Sequence, residues 1–192
     1  MRWSGLRVIA GSARGVRLAA PDGMKTRPTS DRVKEALFSI LASRRAFENM
    51  RVLDVCAGTG SLGIEALSRG SSSCCFIEHD RKVLKVLERN LSATGFAARS
   101  ECVALDARQG LQLLSRQGKC FDLVFFDPPY ASGLYASIPG DMSSLSLMAD
   151  QGLLVIECPS KMPVAERFGM LVRVDHRVYG DTALEFFVRE SQ

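Results

Sequence analysis

The sequence lacks the features that mark membrane-spanning and secreted proteins. No apolar run approaches the roughly 20 residues that a membrane-spanning helix needs. The first residues, MRWSGLRVIAGSARG, lack the apolar core and the cleavage site of a signal peptide. No internal repeat or low-complexity tract is present. We therefore expect a globular, cytoplasmic protein with no membrane partner.

Cysteine pairs with the spacing of metal sites are also lacking. The six cysteines form no C-x-x-C pair, and most of them lie inside apolar, strand-like runs. They are Cys56, Cys74, Cys75, Cys102, Cys120 and Cys158. This pattern is typical of small buried hydrophobic residues in a reducing cytoplasm, so we predict neither disulfide bonds nor a metal ion.

Positive charge is concentrated at the start of the chain. Residues 1–50 carry ten Lys or Arg against four Asp or Glu, a net charge of +6. Because the whole chain of 192 residues has a net charge of +4, the remainder sums to −2. The asymmetry indicates either a polyanionic partner or a solvated basic surface, and charge alone does not separate the two.

The first 50 residues predict a small β-hairpin followed by a helix. Two short strands, residues 6–10 and 16–19, flank the turn GSARG. A helix follows from Asp31, which favours the first turn, and Thr29 or Ser30 can cap it.

From residue 51 onward, strand-like and helix-like stretches alternate. The predicted strands are 51–56, 73–78, 100–104, 121–126 and 152–157. The predicted helices are 60–69, 81–94, 107–117 and 141–149. This alternation predicts a parallel sheet covered by helices on both faces, with ligands outside the carboxyl ends of its strands.

The end of the chain departs from this pattern. Two strands joined at Gly180-Asp181, with no helix between them, predict an antiparallel hairpin. The Gly- and Ser-rich loop 130–146 is expected to be mobile.

A glycine loop follows the first predicted strand of the sheet. Gly58, Gly60 and Gly63 match G-x-G-x-x-G, and Glu78 ends the next strand. That pattern fits several nucleoside cofactors, including NAD. Asp54, just before the loop, favours the ammonium of S-adenosylmethionine (SAM) over a pyrophosphate, because like charges repel.

Each acidic residue near this loop also has a structural interpretation. Asp54 can satisfy nearby backbone N–H groups, and Glu78 can be a solvated strand end rather than a ribose ligand. Asp106, after the third strand, can accept from the adenine amine or cap the helix at residue 107.

The stretch DLVFFDPPYAS ends a buried strand on an acid, two prolines and a tyrosine. Asp127 and the carbonyl of Pro128 can accept the two N–H groups of an exocyclic amine and stabilise its developing positive charge. The prolines, including Pro129, restrict the backbone, and Tyr130 offers a face on which a flipped-out base can stack. The alternative is a proline-rich turn with an exposed Asp.

These motifs together resemble a known family. D-P-P-Y after a fourth strand, with D-x-x-A-G-T-G after the first, resembles amino-methyltransferases that act on nucleic-acid bases or glutamine. RVIAGSARGVRLAAPDGMKTRPTSDRVKEALFSIL and YGDTALEFF resemble RsmD-type enzymes, which methylate the N2 amine of one guanine in 16S ribosomal RNA. The resemblance covers essentially the whole chain. It implies an α/β, Rossmann-like, seven-stranded SAM-dependent methyltransferase sheet, mostly parallel, with a C-terminal antiparallel hairpin and a small N-terminal β-hairpin.

The resemblance also implies roles for individual residues. The catalytic residues would be Asp127, Pro128, Pro129 and Tyr130. SAM, with S-adenosylhomocysteine (SAH) as product, would bind Asp54, Ala57, Gly58, Gly60, Glu78, His79, Asp106 and Ala107. RNA phosphate would contact Arg14, Arg17, Arg27 and Arg32. Residues 1–28 would form the RNA-contacting extension and residues 29–192 the methyltransferase domain.

The implied protein is a monomer without metal that acts on 16S ribosomal RNA, either naked or inside an assembling small subunit. Arg32 could instead pair with a carboxylate. A DNA base or protein glutamine as substrate, and a non-catalytic RNA-binding protein of the same fold, remain alternatives. The basic N-terminus disfavours glutamine, and the intact D-P-P-Y disfavours a non-catalytic protein.

Overall fold

The structure is a computed structural model that describes residues 6–21, 31–44, 47–129 and 133–190. The α-helices in these ranges are α1 (Asp31–Arg44), α2 (Ser61–Ser68), α3 (Arg81–Thr94), α4 (Ala107–Arg116) and α5 (Ile138–Ser144). The strands are β1 (Arg51–Val55), β2 (Ser73–Ile77), β3 (Ser100–Val103), β4 (Phe121–Phe126), β5 (Met148–Pro159), β6 (Arg167–Phe168), β7 (Leu171–Tyr179) and β8 (Thr182–Arg189). None of the helices described here is long and apolar enough to cross a membrane.

All of these strands join one sheet in the order β3-β2-β1-β4-β5-β8-β7-β6. The first five pair in parallel and the last three pair antiparallel, which confirms the predicted topology. Seven strands were expected; the eighth is the two-residue β6, which pairs with β7 at the sheet edge. The chain order reverses between β1 and β4, and ligands of open α/β sheets bind at such a point.

One predicted helix is wrong in position. The pattern over residues 141–149 predicted a helix, but α5 lies earlier and β5 already begins at Met148. Ser146 has a φ of 53°, in the left-handed region that a continuing helix cannot use. The described part of the predicted loop 130–146 therefore contains the helix α5, and the mobility of this segment stays a prediction.

Helices cover both faces of the sheet, as the near-continuous apolar strands predicted. One apolar core lies between the sheet and α1, α2 and α3, and includes the fully buried Phe38, Phe76 and Phe125. The other lies under α4 and α5 and includes Phe126 and Leu111. Successive residues of β4 thus point into opposite cores, because side chains alternate along a strand.

The N-terminal hairpin (residues 6–21) forms less β-structure than predicted. The expected strands 6–10 and 16–19 are reduced to a single antiparallel bridge between Arg7 and Arg17. The arms also share backbone hydrogen bonds, from Val8 N–H to the Val16 carbonyl at 3.0 Å and from Leu18 N–H to the Leu6 carbonyl at 2.9 Å. Further along the first arm, the N–H groups of Ile9 and Ala10 donate to the Glu65 carboxylate at 2.7 and 3.0 Å, so these donors have partners outside the hairpin.

This hairpin lies along α2. Its first arm contacts Glu65 in the middle of the helix, and its turn wraps Ser68 at the helix end, where Ser12 N–H donates to the Ser68 carbonyl at 2.8 Å. The apolar side chains Leu6, Val8 and Leu18 are buried in the same core as α2. The hairpin is therefore packed on the sheet domain.

Candidate active site

The carboxyl ends of β1, β2 and β4 lie side by side. Val55 pairs with Ile77 on one side and with Phe126 on the other. Each strand then continues into a predicted site segment: the glycine loop (residues 56–60) after β1, Glu78 after β2 and Asp127 after β4. The register of the sheet thus brings the two halves of the predicted site to one edge.

The three glycines of the G-x-G-x-x-G motif serve two purposes. Gly60 has a φ of 78°, and a Cβ there would lie 2.2 Å from Leu87 Cδ1. A Cβ on Gly63 would lie 2.4 Å from Phe76 Cε1, so these two glycines allow α2 to pack. A Cβ on Gly58 would meet no atom closer than 4.0 Å, so the space beside Gly58 is available for a ligand.

Asp54 is almost fully buried, with 2% of its surface exposed. Its Oδ2 accepts the Gly63 N–H at 2.9 Å, which ties β1 to the first turn of α2. Burial raises the pKa of Asp54 to about 7, and the nearby Glu78 adds to the rise while the Gly63 hydrogen bond opposes it. In the structure, Asp54 therefore accepts a hydrogen bond from a backbone N–H group, as its structural interpretation predicted.

Glu78 also binds backbone. Its Oε2 accepts the Gly58 N–H at 2.9 Å and its Oε1 accepts the Asp80 N–H at 2.8 Å. The side chain is buried, so it is not a solvated strand end. His79 follows it and is largely exposed, with its Nδ1 3.3 Å from Glu78 Oε1.

The remaining predicted cofactor residues lie at the ends of β1 and β3. Asp106 caps α4, because its Oδ1 accepts the Gln109 N–H at 2.9 Å. A carboxylate has a second oxygen, so capping is compatible with binding an adenine amine. Ala107, the first residue of α4, is buried, and Ala57 N–H donates to the Ile77 carbonyl at 3.0 Å.

The D-P-P-Y segment is held by a tyrosine that the sequence did not single out. Asp127 is half-buried, Pro128 is buried and Pro129 is exposed. The Tyr135 hydroxyl lies 3.1 Å from the Pro128 carbonyl oxygen and 3.2 Å from the Glu157 carbonyl oxygen. Because a carbonyl oxygen has two lone pairs, Pro128 can accept a second donor.

This edge of the sheet is electronegative. Burial, followed by Glu78, Asp127 and Asp54, raises the pKa of the Cys56 thiol to about 12. The Cys56 thiol is therefore protonated at neutral pH and is a poor nucleophile. A cluster of carboxylates beside an open glycine loop suits a ligand that carries positive charge, as SAM does on its sulfonium and ammonium.

The predicted RNA-binding arginines are spread over the hairpin and α1. Arg14, Arg17 and Arg32 are exposed, with Arg14 in the turn beside the far end of α2. Asp31 forms its ion pair with Arg7, at 3.5 Å. Two predicted site residues, Arg27 and Tyr130, as well as the predicted caps Thr29 and Ser30, lie outside the described residues.

Three polar residues near the site are buried, and their burial was not predicted from the sequence. Lys34 and Glu65 are 0% exposed and Asn90 is 1% exposed. Lys34 and Asn90 each interrupt an otherwise apolar helix face, while Glu65 lies beside Ser61 and Ser68 on α2, and such residues are buried only where they have partners. That interruption of the apolar pattern was the available signal.

The fold and this edge define a class of protein. A mostly parallel sheet with a glycine loop after β1, an acid after β2 and a carboxylate-rich switch point is the arrangement of SAM-dependent methyltransferases. An RNA methyltransferase from Salinibacter ruber, solved in complex with SAH, shares this fold at a TM-score of 0.65 and 13% identity, over 86% of this chain and 95% of that one. In the described part of the chain, no group of three or more His, Cys, Asp or Glu is arranged to hold a metal.

Closer relatives define the family. The family described as conserved hypothetical protein 95 matches residues 6–188. The ribosomal RNA small subunit methyltransferase D of Escherichia coli K12 is 35% identical over 189 residues, which cover 97% of this chain and 91% of that protein. The structure of a putative methyltransferase from Escherichia coli, yhhF, matches with a TM-score of 0.84 and 34% identity, over 97% and 98% of the two chains. The chain belongs to the conserved hypothetical protein 95 family, and the predicted membership in the RsmD family is confirmed.

Proposed function

We propose that this protein transfers a methyl group from SAM to the exocyclic N2 amine of a guanine in 16S ribosomal RNA. The observation that carries the proposal is the register of β1 and β4, which places Asp127 and Pro128 beside the glycine loop. Support for the RNA substrate comes from the E. coli relative, whose name specifies small-subunit ribosomal RNA. Because ribosomes assemble in the cytoplasm, we place the reaction there.

The glycine loop and the acids around it would hold the cofactor. When bound, SAM supplies an electrophilic methyl group and leaves as SAH. Gly58 leaves room for the ligand, Asp54 and Glu78 attract its positive charge, and Glu78 can exchange its backbone partners for ribose hydroxyls. Asp106 would accept from the adenine amine with the oxygen that does not cap α4.

The D-P-P-Y segment would hold the acceptor amine. Asp127 and the Pro128 carbonyl accept its two N–H groups, which turns the nitrogen towards the methyl group. As the new N–C bond forms and the S–C bond breaks, the nitrogen becomes positive, and Asp127 stabilises that charge and takes the released proton. Pro129 stiffens the segment, and Tyr130 would stack on the base.

The N-terminal hairpin and the start of α1 would bind the RNA backbone. Arg14, Arg17 and Arg32 are exposed, and an arginine suits phosphate because its donors are fixed in a fork. Arg14, Arg17 and Arg27 would make residues 1–28 an RNA-contacting extension, and Arg32 would add a contact from the methyltransferase domain, residues 29–192. The extension and the start of α1 would thus bind RNA while the sheet edge performs the reaction.

Methyl transfer from labelled SAM tests the proposal. Small ribosomal subunits lacking the modification, naked 16S ribosomal RNA and duplex DNA serve as alternative substrates. We expect label on the RNA and a loss of about 10²–10³ in rate for Asp127→Ala. Asp122→Ala, at the other end of β4, is the matched control and should keep the wild-type rate. Label on DNA, or an unchanged rate for Asp127→Ala, would contradict the proposal.

A further inference from the structure

Asn90 of α3 joins the N-terminal hairpin to the glycine loop. Its Oδ1 accepts the Ala19 N–H at 2.8 Å, and its Nδ2 donates to the carbonyls of Ala19 at 3.1 Å and of Thr59 at 3.0 Å. The orientation of the amide follows from these partners, because the reverse orientation would set oxygen against two carbonyls. The side chain is 1% exposed, so these hydrogen bonds do not compete with water.

Lys34 of α1 joins the hairpin to Ser61, the first residue of α2 and the residue that follows the glycine loop. Its Nζ donates to the Arg7 carbonyl at 2.7 Å and to the Ser61 hydroxyl at 3.1 Å. The side chain is 0% exposed, and burial lowers the pKa of Lys34 while Glu65, 3.9 Å away, raises it. A buried ammonium is costly to leave without partners, so this connection resists opening.

The two connections bracket Gly60. Thr59 and Ser61 are its neighbours in the chain, and Gly60 itself has the left-handed conformation that turns the loop into α2. Arg7 and Ala19 lie on opposite arms of the hairpin. Each arm of the hairpin is therefore joined, through one buried side chain, to one chain neighbour of Gly60.

We infer that Asn90 and Lys34 are positioning residues that couple the hairpin to the glycine loop, so that RNA bound to the hairpin strengthens cofactor binding at the loop. The inference rests on the proposed function, which assigns RNA to the hairpin and SAM to the loop. Ordering the hairpin through RNA orders the loop as well, so the cofactor meets a loop whose conformational freedom is already reduced. By linkage, the cofactor strengthens RNA binding by the same factor.

Calorimetric titration of SAH, with and without a 16S ribosomal RNA fragment, tests the coupling. In the wild-type protein we expect RNA to lower the Kd of SAH by about fivefold or more. Asn90→Ala should bring that ratio close to one, and Ser61→Ala, which removes only a hydroxyl, should lower it in part. The two variants remove different connections. A lower ratio in both would therefore show that the coupling between RNA and SAH depends on the hydrogen bonds to Thr59 and Ser61, on either side of Gly60.

Ser68→Ala is the matched control. The Ser68 hydroxyl donates to the Ala10 carbonyl at 2.6 Å and accepts the Ala13 N–H at 3.0 Å, so it holds the same hairpin at the far end of α2. This variant loosens the hairpin away from the glycine loop and should keep the wild-type ratio within about twofold. A merely structural role for Asn90 predicts equal ratios in Asn90→Ala and Ser68→Ala.

The remaining outcomes separate this inference from the proposed function. A wild-type ratio of one, or a wild-type ratio retained in both Asn90→Ala and Ser61→Ala, overturns the coupling and leaves the methyltransferase intact. A wild-type protein that binds neither SAH nor the RNA overturns both. If Asn90→Ala does not fold, hydrogen exchange decides: RNA alone should slow exchange over residues 57–63 in the wild type and less in Ser61→Ala.

Discussion

The hydroxyl of Tyr135 lies within hydrogen-bond distance of two carbonyl oxygens, and one of them, at 3.1 Å, belongs to Pro128 of the D-P-P-Y segment. The other belongs to Glu157 in β5, at 3.2 Å. A hydroxyl has one proton, so it donates to one carbonyl at a time. When it donates to Pro128, Tyr135 fixes the direction of that carbonyl, and the second lone pair of the carbonyl oxygen stays available to a substrate amine.

Removing this hydroxyl should slow methyl transfer. In Tyr135→Phe the ring still packs in the core, but the Pro128 carbonyl loses its hydrogen bond from the Tyr135 hydroxyl. Such a hydrogen bond is worth about 1 kcal/mol. We expect kcat to fall about fivefold and the KM for RNA to stay nearly constant, because the carbonyl acts on the reacting amine. Steady-state kinetics measure both constants. Tyr179→Phe in the C-terminal hairpin is the control, and an equal kcat in the two variants would refute the positioning role.

Asp54 should make the stability of the protein depend on pH. Its folded pKa of about 7 lies above that of an unfolded carboxyl, so between about pH 4 and 7 the folded state holds a proton that the unfolded state has lost. The contribution of Asp54 to stability is therefore present at low pH and is lost as pH rises through 7.

Comparison with Asp54→Asn isolates this contribution. The Asn side chain can still accept the Gly63 N–H but does not titrate. From pH 4.5 to 7.5, we expect the wild type to lose about 3 kcal/mol of unfolding free energy relative to the variant. Urea denaturation at each pH provides the measurement. Parallel stability curves for the two proteins would show that Asp54 keeps an ordinary pKa.

Gly60→Ala should be strongly destabilising and should abolish cofactor binding. The new residue would keep a φ of 78°, and its Cβ would lie 2.2 Å from Leu87 Cδ1, so the buried Leu87 side chain, the loop or α3 must shift. We expect a loss of about 1–3 kcal/mol from backbone strain alone. Thermal unfolding and SAH titration check the two effects.

Gly118→Ala provides the control for that experiment. Gly118 also has a positive φ, 67°, but a Cβ there would meet nothing within 4 Å. An alanine at this position would have the strain of the left-handed region without the clash. Gly118 lies between α4 and β4, away from the carboxyl ends of the strands. If both variants bind SAH as the wild type does, the glycine loop is not the cofactor site.

Arg14→Ala combined with Arg17→Ala should reduce the salt dependence of RNA binding. Each arginine that meets a phosphate releases about one counterion, so the slope of log K against log salt should fall by up to about 2. Fluorescence anisotropy over a salt series gives that slope. Arg116→Ala, exposed near the end of α4, should leave it unchanged. An unchanged slope in the double variant would place Arg14 and Arg17 away from phosphate.

The sheet and the segments at the carboxyl ends of its strands could be predicted from the sequence because their signals are local. Apolar runs mark the strands, the glycine loop follows β1, and D-P-P-Y follows β4. The position of α5 could not be predicted in this way. The helix ends before Ser146, which has a positive φ that a serine in the sequence does not indicate. Likewise, Met148 joins β5 because it pairs with Phe121, a contact made across the sheet.

The contacts of buried polar side chains could not be predicted, because their partners are distant in sequence. Asn90 binds Ala19, 71 residues away, and Lys34 binds the carbonyl of Arg7. Asp54 and Glu78 lie at the ends of β1 and β2, as predicted, but their backbone partners, Gly63 and Gly58, could be identified only from the structure. Their roles towards SAM remain predictions, as do those of Asp127 and Tyr130.

Mass mapping of methylated nucleotides in 16S ribosomal RNA tests the central claim most directly. RNA is compared from cells with the gene, without it, and without it but carrying wild-type or Asp127→Ala protein. The account predicts that one N2-methylguanosine disappears without the gene, returns with the wild-type protein and does not return with Asp127→Ala. An unchanged set of methylated guanines in cells without the gene would contradict it.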